Sequence, residues 1–175
     1  MRHQFEDESI LFHDELRAGT RTELGRKWTP MGHRPVAPVK IGYESVWLYL
    51  TLCPLTGEGF AAFLPRLDGA CFGWFIEQVQ ACLSQQAVFI ADGATAHKAA
   101  LFDSQKLRFV RLPAACPELN PVKRFFKEVR RQLKSRVFET LDQAQQAVRG
   151  AVESLADQVI SITAFPYIKN TSNHI

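Results

Sequence analysis

Residues 116–134 read CPELNPVKRFFKEVRRQLK, a turn framed by Pro117 and Pro121 that runs straight into an apolar stripe. Val122, Phe125, Phe126, Val129 and Leu133 recur at the 3.6-residue period of a helix with one buried face. A lysine, Lys123, stands on the first turn of that helix, and what it does there decides how the rest of the chain is understood.

Working outward, LRFVRLP (107–113) predicts a strand, GATAHKAALFDS (93–104) a loop with a short helix, and AVFIAD (87–92) a short apolar strand buried in a sheet. From Asp68, the spacing of Phe75, Val79, Cys82 and Leu83 predicts an amphipathic helix of about four turns. SVWLYLTLCP (45–54), the turn LTGEG and FAAFLP (60–65) form a hairpin pattern, and RPVAPVKIG (34–42) a Pro-interrupted edge strand. Residues 14–33 carry several turn formers and are expected to be a long loop or β-excursion after a first strand containing Asp7. Downstream, Thr140 and Gln143 have capping-box spacing, with Ala144, Val148, Ala151 and Leu155 facing inward. Strands first, then alternating helices and strands, indicate an α/β domain: a mixed sheet flanked by helices. One domain is expected over 1–168, with 169–175 a frayed tail.

The 175 residues, 46% hydrophobic, suffice for one core and not comfortably for two. Net charge is +3, yet residues 106–136 hold ten Lys/Arg against Glu118 and Glu128, a local +8 that leaves the remainder at −5. Such asymmetry suits a phosphate-bearing partner or a solvated helix face. Cys53, Cys71, Cys82 and Cys116 have no C-x-x-C spacing, which points to reduced thiols rather than zinc or disulfides. MRHQFEDES carries no apolar signal region, and no apolar run approaches the roughly 18 residues of a membrane span, so a cytoplasmic protein with no membrane partner is expected.

Two aspartates stand at strand addresses: Asp7 in FEDES and Asp92 at the end of AVFIAD. Catalytic groups collect at the ends of central strands in open α/β sheets, whereas an acidic surface patch and a turn-capping Asp-Gly pair are the plain alternatives. The blocks FEDES, RKWTPMGHRP, IADGATAH and LPAACPELNPVKRFFKEVRRQLK, in that order and covering about Arg2 to Tyr167, resemble the catalytic core of D-D-E transposases. The resemblance is to the bacterial insertion-sequence branch of the Tc/mariner group. It implies a ribonuclease H-like fold, with three acids holding two Mg²⁺ or Mn²⁺ ions that cut and rejoin DNA. Asp7 corresponds to the first acid of that pattern and Asp92 to the second, heading a D-x-A-x-x-H block that ends in His97. The third acid, which closes P-E-L-N-P-x-E, is replaced by Lys123.

Two-metal cleavage needs a clamp about 3.5–4 Å wide, and hard cations take oxygen ligands. A lysine ammonium has three donors and no acceptor, so it repels a metal instead of ligating it. Glu118, in the same turn, is the candidate substitute; Glu128 lies about 140° round the helix from Lys123. Lysine acting as a fixed charge beside a single ion is a further alternative. The implied function is a transposase catalytic domain for DNA transposition, impaired at Lys123; the alternative is an inactive remnant or partner that binds DNA without cutting. A nuclease acting on RNA–DNA hybrids has no support in the sequence.

Lys123, Lys127, Arg130 and Lys134 recur at i, i+4, i+7 and i+11, a basic stripe that Arg124 and Arg131 broaden, and it suits DNA phosphates better than an ordinary solvated face. Arg26, Lys27 and Trp28 offer cations and a stacking surface, Trp28 being equally compatible with the core. His97 suits either an orienting bond near Asp92 or a structural one. The partners implied are transposon-end and target DNA, bound by a homodimer or with a separate N-terminal DNA-binding chain. The helix-turn-helix modules of full-length relatives are expected to be absent here.

Overall fold

The computed structural model describes residues 9–164 except 27, 95–96, 98 and 103–104. The expected site residues Asp7 and Lys27 lie outside the described residues, as do the tail and most of the segment around Asp7. Five strands, β1 (Ile10–Gly19), β2 (Ser45–Leu52), β3 (Gly59–Leu64), β4 (Ala87–Ala91) and β5 (Leu107–Arg111), form one sheet in the order β3-β2-β1-β4-β5. β1, β2 and β3 pair antiparallel; β1, β4 and β5 pair parallel. The helices are α1 (Gly69–Cys82), α2 (Pro121–Leu133), α3 (Leu141–Ser154) and α4 (Val159–Thr163).

Side-chain alternation along the central strands divides the core into two layers. On one face Leu11, Tyr49 and Phe89 meet α1 through Phe72, Phe75, Ile76 and Val79. On the other, Phe12, Leu16 and Leu50 meet Val122, Phe125, Phe126 and Val129 of α2 and Val148 and Ala151 of α3. The mixed α/β sheet flanked by helices is thus the observed architecture, and the hairpin, the strands at 87 and 107 and the three main helices fall where their periodicity sets them.

Three expectations change. Residues 14–19, expected in a long loop or β-excursion after a first strand around Asp7, are the second half of β1, bonded to β2 from Asp14↔Leu50 to Gly19↔Ser45. Residues 34–42 form no strand; they are tied to β1's exit by Thr22 N–H to the Lys40 carbonyl (3.1 Å) and Lys40 N–H to Thr22 Oγ1 (3.0 Å), and Pro35 and Pro38 lack the donors a ladder requires. Between β4 and β5, where a loop with a short helix is expected, the helix among the described residues is of the 3-10 kind and one turn long, Ala99–Leu101.

α2 begins where it does because of Asn120. Its side-chain oxygen accepts from Val122 N–H (3.1 Å), the N-cap bond, while its amide nitrogen donates to the His13 carbonyl of β1 (2.8 Å). Pro121 follows at the first helical position, where a missing N–H is harmless. Asn120 is 1% exposed, so both bonds are shielded from water. Asn120→Ala removes the cap and leaves a buried carbonyl unpaired; a loss of about 2–3 kcal/mol is expected in urea unfolding, larger than for an exposed cap alone.

Candidate active site

The parallel register of β1 and β4 runs Ile10↔Val88, Leu11↔Phe89, Phe12↔Ile90. Two residues beyond the last pair stand Asp14, on the second half of β1, and Asp92, just past the end of β4. Asp14 is a residue the sequence reading missed. The signal was present in HDEL (13–16), but a buried histidine and glutamate on one face and an aspartate on the other hide the alternation of a strand.

Asn120 anchors the start of α2 beside β1, and this brings Lys123 to Asp14. Lys123 Nζ donates to both carboxylate oxygens, at 3.1 and 3.0 Å. The aspartate side chain is 12% exposed and the lysine 35%. Burial pushes the Asp14 carboxyl above its ordinary range, an effect that Lys123 offsets only in part and the neighbouring Glu15 reinforces. Glu118, the expected substitute for the missing acid, is exposed on the 3-10 turn Pro117–Leu119.

Asp92 sits in a tight turn, its Oδ1 accepting from Ala94 N–H at 3.1 Å. His97 Nδ1 lies 3.2 Å from the same oxygen and 3.0 Å from the Asp92 carbonyl. The hydrogen bond from His97 holds the Asp92 carboxyl below its usual range. A side chain at Gly93 would collide with the Arg111 guanidinium, so the absence of a Cβ admits a second cation over this turn.

His97 is in turn held from behind. Its Nε2 meets Glu15 Oε1 at 3.1 Å, and His13 Nε2 meets the same oxygen at 3.1 Å. His13 Nδ1 faces Thr51 Oγ1 at 3.1 Å, and its ring lies in an aromatic nest, 5.0 Å from Phe75 and 5.2 Å from Phe89. Burial alone would raise the Glu15 carboxyl, but the bonds from His13 and His97 outweigh it and depress the group strongly. For His97, burial would lower the pKa; the bonds to Asp92 and Glu15 prevail and raise it to about 10.

The basic residues expected along α2 separate into two sets. Lys123 turns inward to Asp14; Arg124 donates to the Ala164 carbonyl (3.1 Å) and Arg131 to Glu128 (2.7 Å). Lys127, Arg130 and Lys134 are exposed. Arg26, Arg131 and Lys134 line one open groove with Gly25 and Ser135, closed by bonds from Ser135 N–H to the Glu23 carbonyl (2.7 Å) and from Gly25 N–H to Ser135 Oγ (3.3 Å). Trp28 is fully exposed rather than a core residue, as is Met31.

Strand order and the parallel pair at the centre of the sheet define a ribonuclease H-like fold. Residues 9–145 match the DDE superfamily endonuclease family, and the chain belongs to that family. The Mos1 transposase paired-end complex with left transposon end shares the fold, with a TM-score of 0.62 at 13% identity over 89% of this chain and 55% of that one. The Mos1 strand transfer complex gives 0.62 at 13% over 90% and 56%, and the Mos1 mariner paired-end complex with Mn the same values. The chain therefore spans just over half the length of these Mos1 chains. No curated protein matches the sequence.

Because the folded pKa of His97, about 10, exceeds the unfolded value near 6.5, the protonated ring favours the fold. That stabilisation is complete below pH 6.5 and disappears as pH rises through about 10. Urea midpoints of the native protein should fall across this window, and His97→Gln should flatten the decline; an equally steep fall in the variant would contradict the His97 assignment.

Proposed function

We propose that this chain is the catalytic domain of a DNA transposase in which Asp14 and Asp92 occupy the first two acid positions and Lys123 the third, so that DNA is bound but strand cleavage is disabled. The observation that carries this reading is the contact of Lys123 Nζ with both oxygens of Asp14, at 3.1 and 3.0 Å. Both lone-pair faces that a Mg²⁺ or Mn²⁺ ion would use on Asp14 are thereby turned to an ammonium. The residues present do not fit a two-metal clamp, which requires the carboxylate that Lys123 replaces.

Support for Asp14 over Asp7 comes from its place on β1 two residues past the last β1–β4 pair, as Asp92 is on the other strand, and from the family match, which begins at residue 9. Glu118 as a substitute is disfavoured by its exposure. The test is a nicking assay on supercoiled DNA with Mn²⁺. The native chain should leave the plasmid intact and Lys123→Glu should nick it; adding Asp14→Asn should silence the revertant, whereas adding Asp7→Asn should not. Nicking by the native chain would overturn the proposal, and loss of activity through Asp7 would restore Asp7 as the first acid.

DNA contact is assigned to Lys127, Arg130, Lys134 and Arg26, with Arg124, Arg131, Lys27 and Trp28 at the margins and Lys123 withheld by Asp14. The Mos1 relatives are described in complexes with transposon ends, and the exposed cations here share one side of the domain. Phosphate contacts carry no sequence information, so binding should be weak and salt-dependent. Replacing Arg130 and Lys134 by Ala should reduce the slope of log K against log[salt] by about 1.8, at roughly 0.9 per phosphate contact. Anisotropy with duplex DNA at several salt concentrations measures it, and an unchanged slope would move the contact elsewhere.

A further inference from the structure

Behind the acid pair, on the α1 side of the sheet, His13, Glu15 and His97 bring one ligand atom each to within 4.8 Å of one another. Their side chains are 0%, 8% and 1% exposed. We propose that these three residues form a structural transition-metal site, best suited to Zn²⁺, that fixes the loop carrying Asp92 to the central strand.

The donor set is two imidazole nitrogens and one carboxylate oxygen, the combination found in three-ligand zinc sites and ill-suited to Mg²⁺. Both Nε2 atoms stand 3.1 Å from the same Glu15 oxygen. With metal–ligand bonds of about 2.0–2.1 Å, neighbouring ligand atoms in a tetrahedron are roughly 3.3 Å apart, so two of the three edges already have nearly the required length. The other nitrogen of each ring is occupied: His13 Nδ1 by Thr51 Oγ1 at 3.1 Å, His97 Nδ1 by the Asp92 carbonyl at 3.0 Å and carboxylate at 3.2 Å. Oxygen partners on the far nitrogen hold a metal-binding imidazole in its ligating tautomer and orientation.

The surroundings support a fixed site. Phe72, Phe75, Phe89 and Tyr49 pack round His13, and Phe72 lies 4.3 Å from the His97 ring, which restricts both rings. Charge also balances, since a divalent ion held by two neutral imidazoles would be offset by the carboxylates of Glu15 and Asp92. The site is separate from the two-metal centre of the family: it lies on the opposite face of the sheet from Lys123 and uses neither Asp14 nor the third-acid position.

The experiment is refolding of the full 175-residue chain with Co²⁺, followed by dialysis and visible spectroscopy, with competition by Zn²⁺. One equivalent should be retained with the intense d–d band of a tetrahedral ion, displaced by Zn²⁺ and not by Mg²⁺. His13→Phe, which suits the aromatic nest, should weaken Co²⁺ binding more than the 10–100-fold typical of losing an outer partner, while Asp14→Asn should leave it unchanged. Should His13→Phe fail to fold, Thr51→Val keeps all three ligands, and a weakening of about 10–100-fold is expected there. No retained Co²⁺, or a band that survives both substitutions, would overturn the site and leave only a proton-held network. Neither result bears on whether Lys123 blocks cleavage, because no strand breakage is read.

Discussion

The Asn120 side chain ties the two halves of this domain together. On its β4 side β1 is paired up to Phe12↔Ile90, one residue before β4 ends. The next carbonyl, that of His13, takes its hydrogen from the Asn120 amide at 2.8 Å while the same side chain caps α2. A buried polar backbone group must be paired, so the place where β4 runs out, the start of α2 and the spot at which Lys123 enters the sheet's end are one constraint. Everything further along the α2 layer, from Phe125 and Phe126 to the α3 contacts of Val148 and Ala151, follows from how that helix is started.

Its consequence is electrostatic. The third residue of a helix looks onto unpaired N–H groups and the positive end of the macrodipole, a position that favours a carboxylate and disfavours an ammonium. Lys123 is therefore unfavourable for the helix and favourable for Asp14, and the second interaction decides its conformation, with Nζ bonded to both carboxylate oxygens. An acid in its place would suit the helix but would confront Asp14 across a short gap, a geometry that requires a cation between them. The two residue types thus belong to different states of the site: one supplies the cation covalently, the other needs it from solution.

How much of this the sequence disclosed varied with the environment of each segment. AVFIAD was legible because a parallel strand covered on both faces is apolar throughout, and the helices at 69, 121 and 141 announced themselves by stripe and cap, Asp68, Asn120 and Thr140 each accepting the expected backbone N–H. β1 was not legible. In ILFHDELRAG the α1 face carries Leu11, His13 and Glu15, so polar residues stand where a buried strand ought to be apolar, and that masked the strand. The segment 34–42 erred the other way: Val36, Val39 and Ile41 suggested a strand, yet all three are exposed and the prolines prevent a ladder. Lys123 could be singled out because a local motif carries it, but its partner could not, since Asp14 and Lys123 are 109 residues apart.

The charges at the end of the sheet explain how so many acids coexist in so small a space. Asp14, Glu15 and Asp92 are three carboxylates in which burial opposes ionisation. Each meets a fixed cation or donor: Lys123 for Asp14, the imidazoles of His13 and His97 for Glu15, and His97 for Asp92, with the Arg111 guanidinium over Gly93. His97 is the shared member, and its pKa near 10 reflects two acids acting on one ring. For Asp14 burial prevails over Lys123, and its carboxyl alone is shifted upward among the three. The carboxyl in which burial prevails is therefore the one the lysine faces, and a change at position 123 acts on Asp14 first.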